Sequence, residues 1–405
     1  MNNTNYDVLI IGGSLVGASA ALALSALGLS VLVIEERSAA VRSDPGFDGR
    51  AIVLAPASQR FFANLNVWEY LGPSVTPIQH IHVSERGKFG ATRLNAEQPA
   101  QDALGYVIEA HQLQQILSAR CLQTDNLRYL SPAQYQNLKI TAEGCSAQII
   151  FEGETHEIQA KLLIAADGVN SAVRQQVAVG QTVWDYQQTA LVTNLGLARE
   201  HAGHAYERFT DQGSMGFIPM SGSRVGLVWA VPNAHKERVL ALSDAELLGD
   251  AQAALGYRLG RFLRVGQRQL YPLSLTRAEQ TVGPGWVLLG NAAQSLHPIA
   301  GQGFNLGLRD VAQLQATLAA RGEKALGDLG VLAEYAKART ADQTRIIRFS
   351  DGLNRVFTNP LRSVGWLRHA SLLAMEHIPP LKQRLMQTTM GLRGPLPPLL
   401  CDVYG

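Results

Sequence analysis

The sequence predicts an α/β fold in which a doubly wound, mainly parallel layer carries an inserted, mainly antiparallel β-sheet and ends in a helical region. Three observations lead there. Asp7–Glu35 reads as strand, glycine-rich turn, helix and second strand. From 181 to 275 the texture becomes short β-rich runs broken by turn residues. Arg345–Arg393 then interleaves cations with apolar residues. With 405 residues, two domains are expected. An apolar fraction of 46% and a charged fraction of 17% belong to an ordinary folded protein. A net charge of +2 without any Lys/Arg run argues against nucleic acid as a partner. Cys121, Cys145 and Cys401 are too widely spaced for a disulfide framework or a zinc pattern, and fit a reducing compartment.

The first unit begins with the β-rich run Asp7–Ile11. Gly12-Gly13-Ser14-Leu15-Val16-Gly17 follows, then an alanine-rich helical stretch to Leu27, a stop at Gly28 and a strand Ser30–Ile34 closed by Glu35. Val8–Ile34 contains no charged residue and is long enough to resemble a membrane span or signal peptide. Against that, Asp7 and no cation precedes it, no cleavage site follows, and the glycines punctuate the run. The layout is that of a dinucleotide site. Gly12 allows the tight turn, Gly17 lets the helix pack close, and the helix N-terminus offers N–H groups to a pyrophosphate. Glu35 is placed to accept from ribose hydroxyls. Ser14 stands where the fingerprint has its second glycine, at a cost of about 1 kcal/mol if its φ must be positive.

Two later segments narrow the choice of nucleotide. Lys161–Gly168 is an apolar strand ending in Asp167-Gly168, and Asn170-Ser171 opens a helix with Arg174 in its first turn. A cation facing the positive end of a helix suggests an anion nearby. Gly285–Asp310 reads as a strand, Trp286–Leu289, closed by Gly290-Asn291. The loop His297-Pro298-Ile299-Ala300-Gly301-Gln302-Gly303 then feeds a long helix beginning near Phe304. A helix N-terminus behind two glycines suits the N1–C2 edge of a reduced flavin, which carries negative charge. Asn291 can reach ribityl hydroxyls.

Taken together, these three segments resemble the class A FAD-dependent monooxygenases, over nearly the whole chain and in the family's order. HPIAGQGFNLGLRD, with Ala205–Met220 (AYERFTDQGSMGFIPM), is most similar to the ubiquinone-biosynthesis ring hydroxylases. Within that group it resembles the 2-octaprenyl-6-methoxyphenol hydroxylases, where Gly-Asn also replaces Gly-Asp. The resemblance implies a Rossmann-like FAD-binding domain at 1–75, 101–180 and 276–345. It implies a substrate domain at 76–100 and 181–275, and a helical C-terminal region at 346–405. Gly12, Ser14, Gly17 and Glu35 would then bind the ADP half of FAD, with Arg50 over the pyrophosphate or flavin. Asp167 would support FAD and the approach of NAD(P)H, the co-substrate. Asn291, Pro298, Gly301, Gln302, Gly303 and Asn305 would surround the ribityl chain and ring. The departures from the pattern are Ser14 and Asn291, the latter removing a charge near the flavin. Glu109–Leu113 (EAHQL), where the family has a polar flavin contact, matches poorly and yields no residue.

The implied reaction is NAD(P)H reduction of FAD, addition of O₂ and transfer of one oxygen atom from a flavin hydroperoxide to a polyprenyl phenol. It needs no side-chain catalytic set, and none is visible in the sequence. Two other readings compete. A dehydrogenase explains Gly12–Glu35 but leaves Gly285–Asp310 without a role, and a non-catalytic prenyl-lipid carrier on the same fold would not need the Gly301–Asn305 loop.

In the substrate half, Thr189–Gly196, Ala205–Phe209, Gly216–Met220 and Arg224–Val231 suggest an antiparallel sheet, with Ile78–Val83 adding a strand. Phe217, Met220 and Trp229 are candidates to line a cleft, or else core. His201 with His204, and His80 with His82, lack a third ligand at metal spacing, so no metal is expected. His297 is expected to hydrogen-bond within the loop rather than act as acid or base. Arg345–Arg393 holds eight Lys/Arg and two Asp/Glu, so the remaining chain nets −4. Its apolar residues include Leu361, Trp366, Leu367, Leu372, Leu373 and Met375. One reading is a basic amphipathic face at the inner surface of a membrane, making a cytoplasmic protein peripheral, with a ubiquinone-biosynthesis complex as a further partner. The other is a helical layer packed on the FAD domain or a partner subunit.

Overall fold

A computed structural model describes residues 4–38, 46–97, 102–298, 301–358 and 362–402. Ile299, Ala300 and Leu361 lie outside these residues, as does the side chain of Leu367. The first sheet is built on Asn5–Ile11, which pairs in parallel with Val31–Ile34 on one side and Glu154–Ala165 on the other. Leu127–Leu130 and Trp286–Leu288 extend it, again in parallel. An antiparallel meander, Ala133–Thr141, Gly144–Phe151 and Glu154–Ala165, continues from it.

The near-continuous apolar spelling of these strands follows from burial on both faces. Val8, Ile10, Val31, Val33, Leu162 and Ile164 enter one core. The alternate residues Leu9, Ile11, Leu32, Ile34, Leu163 and Ala165 enter the other. The helix Leu15–Ser25 is buried from Gly17 to Ser25 because the sheet, Ala110–Leu122 and Gln302–Ala319 enclose it. It has no solvent face, which accounts for a charge-free segment in a chain with no described helix long and apolar enough to cross a membrane. Its serines are satisfied internally: Ser19 Oγ donates to the Leu15 carbonyl and Ser25 Oγ to that of Leu22.

The second sheet runs Gln294–Ser295, Gln269–Ala278, Gln181–Leu197, Arg224–Pro232, Gly213–Met220, His204–Thr210, His80–Glu85, Ala91–Asn95. It is antiparallel except where His204–Thr210 meets His80–Glu85 in parallel. The stretch expected as one strand at Ile78–Val83 divides. Thr76–Ile78 joins a three-stranded sheet with Gly105–Glu109 and Ala51–Leu54, and the second sheet takes only His80 onward. The break falls at Gln79, whose side chain donates to the Asp102 carbonyl.

Three helices close the chain: Leu329–Thr358, Arg362–His377 and Pro379–Thr389. The first is continuous through the boundary expected at 345/346, so the C-terminal region grows directly out of the preceding domain. The second helix packs on the second sheet. Thr92 Oγ1 donates to the Leu372 carbonyl, and Glu85 pairs with both Arg368 and His369.

Candidate active site

The glycine turn stands at the C-terminal end of the parallel strands. Gly12 has φ +97°, and a Cβ there would lie 2.5 Å from the Ala166 carbonyl oxygen. At Gly17 it would lie 1.8 Å from the Gly12 carbonyl oxygen. Both positions therefore require glycine. Ser14 has φ −72°, so the backbone cost weighed for a side chain there does not arise. Ser14 begins a helix with no side-chain cap and no acidic residue in its first turn, which leaves N–H groups for an anion. Glu35 braces the turn, its two oxygens accepting from the N–H groups of Gly13 (2.9 Å) and Arg37 (3.0 Å). Each carboxylate oxygen keeps a second acceptor site.

Asp167 follows the neighbouring strand, and its backbone N would stand 2.8 Å from a Cβ on Gly12. One carboxylate oxygen accepts from the Val173 N–H at 3.2 Å; the other is buried without a partner among the described residues. An orphaned buried acceptor beside the glycine turn fits the hydroxyls of a bound nucleotide. Among the described residues, no acid pairs with Arg174. Its guanidinium is buried and donates to the carbonyls of Ala292 (2.9 Å) and Val169 (2.8 Å), joining the Asp-Gly and Gly-Asn motifs. Carbonyl dipoles satisfy the cation in place of a charge.

Val16 joins the first motif to the third, since Cβ atoms at Gly290 or Gly307 would each meet it at 3.1 Å. The long helix starts at Gln302, two residues before the expected Phe304. Gly301 is its left-handed N-cap (φ +59°), and no side chain or acid satisfies the first turn. Asn305 holds this geometry. Its amide oxygen accepts from the Ala55 N–H and the Ser58 hydroxyl, both at 2.7 Å. Its NH₂ donates to the carbonyls of Val53 (2.8 Å) and Gly301 (2.7 Å). All four hydrogen-bonding sites are used. Asn305 thus braces the loop that was expected to surround the ribityl chain and ring. Gly303 has open space where a Cβ would stand, and Asn291 is exposed. Arg50 is exposed, with no side-chain hydrogen bond or ion pair among the described residues. Two uncapped helix N-termini, an orphaned carboxylate oxygen and an open glycine therefore fit a dinucleotide with a flat anionic ring.

The loop opens onto a cavity of about 560 Å³, walled at this end by Pro298, Gly301, Gln302 and Asn305. The second sheet forms its floor, and Phe349, Leu353, Leu372 and Met375 of the C-terminal helices form its roof. Phe217 borders it only through its strand: its ring faces the other side of the sheet, wholly buried and stacked on Phe262 with centroids 5.8 Å apart. Met220 and Trp229 are buried in core too, and Trp229 Nε1 donates to the Gln212 carbonyl. His297 is buried at the cavity end, with Nε2 3.1 Å from Gln188 Oε1, and burial holds its pKa down to about 4. A neutral hydrogen-bonding imidazole is the role expected of it. The rings of His80 and His204 lie 4.3 Å apart, with His80 Nδ1 against Asn95 Oδ1 and His201 Nε2 against the Met220 carbonyl.

Sequence reasoning missed several residues. Gln114, one position beyond the poorly matching Glu109–Leu113, donates with Tyr129 to the Gly13 carbonyl (3.1 and 2.7 Å). Tyr129 sits in an ordinary strand, and no local pattern marks it. Glu207 faces the cavity, and burial raises its carboxyl to about 7. Its place on the sheet's inner face was readable from strand alternation, but the depth of the cavity was not.

The family model described as "FAD binding domain" matches residues 5–350. The ubiquinone hydroxylase UbiL of Rhodospirillum rubrum is 35% identical over 398 residues, covering 97% of this chain and 92% of the relative. The 3-demethoxyubiquinol 3-hydroxylase of Escherichia coli is 29% identical, covering 97% and 100%. Among solved structures, p-nitrophenol 4-monooxygenase from Pseudomonas putida superposes with a TM-score of 0.78 at 15% identity, covering 97% of this chain and 100% of that one. At that identity the likeness is one of fold.

Proposed function

The chain belongs to the FAD-binding-domain family, among the ubiquinone hydroxylases, and from that premise we propose that it hydroxylates the ring of 2-octaprenyl-6-methoxyphenol or a close prenylated phenol. It is an FAD-dependent monooxygenase. When bound, FAD takes two electrons from NAD(P)H and activates O₂, so that one oxygen atom enters a ring C–H bond and the other leaves as water. Gly12, Ser14, Gly17, Glu35 and Arg50 would hold the ADP half, and Asp167 and Asn291 the ribityl region. Pro298, Gly301, Gln302 and Gly303 would hold the ring edge, with Asn305 bracing them. The observation that carries the reading is the uncapped helix N-terminus at Gly301 opening directly onto an apolar cavity of about 560 Å³. A phenol with a hydrocarbon tail suits such walls, and the protein's work is to position it, exclude water and control charge.

The test is purified protein with FAD, NADH or NADPH, O₂ and short-chain prenylated methoxyphenols, with products read by mass spectrometry. Gain of one oxygen atom on the 6-methoxyphenol ring supports the specific step. Oxidation of a demethoxy ring in its place would reassign the ring position, and no NAD(P)H consumption with any such phenol would overturn the reading.

We also propose a membrane contact for the C-terminal helices. Their inner side packs on the protein, but Trp366 is 78% exposed, and Leu373, Ile378 and Leu381 are exposed too. Arg384 is exposed three residues after Leu381 and Arg348 on the first of the three helices, while Arg355, Arg368 and Lys382 are tied to acids. This supports a surface that takes up an apolar substrate from a bilayer. Co-sedimentation with anionic vesicles should be lost on replacing Trp366 and Ile378 together by Ser; equal binding by that variant, or none by the native chain, would sink the idea.

A further inference from the structure

On the strand His204–Thr210, Ala205, Glu207 and Phe209 share the face that lines the cavity. Glu207 stands opposite Val83 of one neighbouring strand and Gly216 of the other. Beyond Gly216 comes Val228. The floor around the carboxyl is thus almost wholly apolar. Gly216 makes the room: a Cβ there would lie 3.3 Å from Glu207 Oε2. The Ser214 hydroxyl, from the same strand as Gly216, hydrogen-bonds the carboxyl.

No cation answers it. Among the described residues facing the cavity, the helix Leu329–Thr358 contributes Arg348, which is largely turned to solvent. The helix Arg362–His377 contributes Arg368, which is paired with Glu85. The loop contributes His297, which burial keeps neutral. Pro379–Thr389 contributes only Leu385 and Thr389. Desolvation therefore dominates and lifts the carboxyl to about 7, against the weaker pull of Ser214. A single titratable acid in an apolar chamber beside the flavin loop costs stability, and such groups gather where a ligand uses them.

We propose that Glu207 is the base that receives the phenolic proton of the ring substrate. The role rests on the ring-hydroxylase reading and deepens it. As the ring carbon takes up oxygen, the phenolic O–H bond breaks and its proton moves to the carboxylate. The electron pair released into the ring makes the attacked carbon more nucleophilic. The product at that point is a dienone bearing the new hydroxyl. Loss of the proton from the hydroxylated carbon restores the aromatic ring, and Glu207 returns its proton to the ketone oxygen. Two electrons delivered as hydride from NAD(P)H, one proton from solvent and one O₂ complete the balance, with water as the second product. Glu207 must be ionised to begin, so turnover rises with pH through the range in which it titrates.

The experiment compares wild type with Glu207→Gln, which keeps the shape and the Ser214 hydrogen bond but cannot take a proton. FAD content, from the flavin spectrum, shows that the variant is folded. With a short-chain prenylated methoxyphenol, kcat should fall about a hundredfold or more, with a smaller change in KM. The rise of kcat with pH near neutrality should disappear. A second readout needs no turnover: an ionised carboxylate beside the bound phenol repels the phenolate, so its absorbance, titrated without NAD(P)H, should develop at higher pH in wild type than in Glu207→Gln. If the variant does not fold, the wild-type titration decides, and a bound phenol that ionises at the same pH as in water lies away from the carboxylate and overturns the role. Wild-type turnover and pH profile in Glu207→Gln overturn it as well. If wild type binds FAD but oxidises no prenylated phenol, the ring-hydroxylase reading falls first, and this role with it.

Discussion

Gly12 and Ser14 stand two residues apart in the same turn, yet they tolerate opposite changes. Gly12→Ala forces an L-residue to φ +97° and drives a methyl into the Ala166 carbonyl. The conformation alone costs about 1–2 kcal/mol. The protein should therefore purify without flavin, as the ratio of flavin to protein absorbance will show. Ser14→Gly changes a residue at φ −72° and should alter stability by only about a few tenths of a kcal/mol, with FAD retained. His297 gives a pH signature. Burial depresses its pKa from 6.5 to about 4, so the unfolded chain binds its proton more tightly. Its stabilising contribution is whole above the unfolded value and is lost as pH falls toward the folded one. Between those limits wild type should lose up to about 3 kcal/mol more than His297→Gln, in urea titrations run across the range. The comparison cancels the opposite trend from Glu207, whose raised carboxyl disfavours the fold as pH rises.

At the scale of elements, the loop that opens the cavity depends on how two helices are held together. Asp310, in Gln302–Ala319, accepts from Arg339 Nε at 2.6 Å and Gln343 Nε2 at 3.0 Å, both in Leu329–Thr358. Asp342 of the latter helix pairs with Arg309 and Arg339. All four charges are buried or nearly so. Replacing such a network whole by apolar residues can be neutral, but breaking it strands a charge. Asp310→Ala should cost about 3–5 kcal/mol in urea unfolding, more than any surface ion pair of the chain. The exposed pair Arg93–Glu376 is a fair contrast: Arg93→Ala should cost less than about 1 kcal/mol.

Across the whole molecule, the cavity belongs to no single segment. The second sheet supplies the floor, Pro298 with Gly301, Gln302 and Asn305 one end, and the C-terminal helices the roof. Narrowing the floor should therefore affect substrate without affecting cofactor. Val228→Phe places a ring where Val228 lines the cavity and should raise KM for a prenylated phenol by about tenfold or more, with FAD content unchanged. Steady-state kinetics beside a flavin spectrum tests this directly.

Much of this architecture was legible in local spelling. Gly12, Gly17, Gly301 and the strands leading to them are dictated by short-range geometry. A tight turn, a close helix contact and a left-handed cap each need glycine within a few residues of a β-run, so sequence alone determined the doubly wound layer, the two helix N-termini and the flavin type of site. The charge-free Val8–Ile34 was legible too, because nothing but enclosure on every side makes a soluble-type helix without a polar face. Side-chain roles decided by distant neighbours were not. Asn305 sits in the loop's spelling but spends its amide on Val53, Ala55 and Ser58, some 250 residues earlier in the chain. Arg174 spends its guanidinium on two carbonyls, and the rings of Phe217 and Trp229, with Met220, turn into core. Glu207 reads in sequence as an ordinary charge on a strand. Only the tertiary structure, by laying an apolar roof over that strand, sets it in an apolar chamber and makes its chemistry distinctive. Burial is a sum over segments far apart in the chain, and no local pattern records that sum.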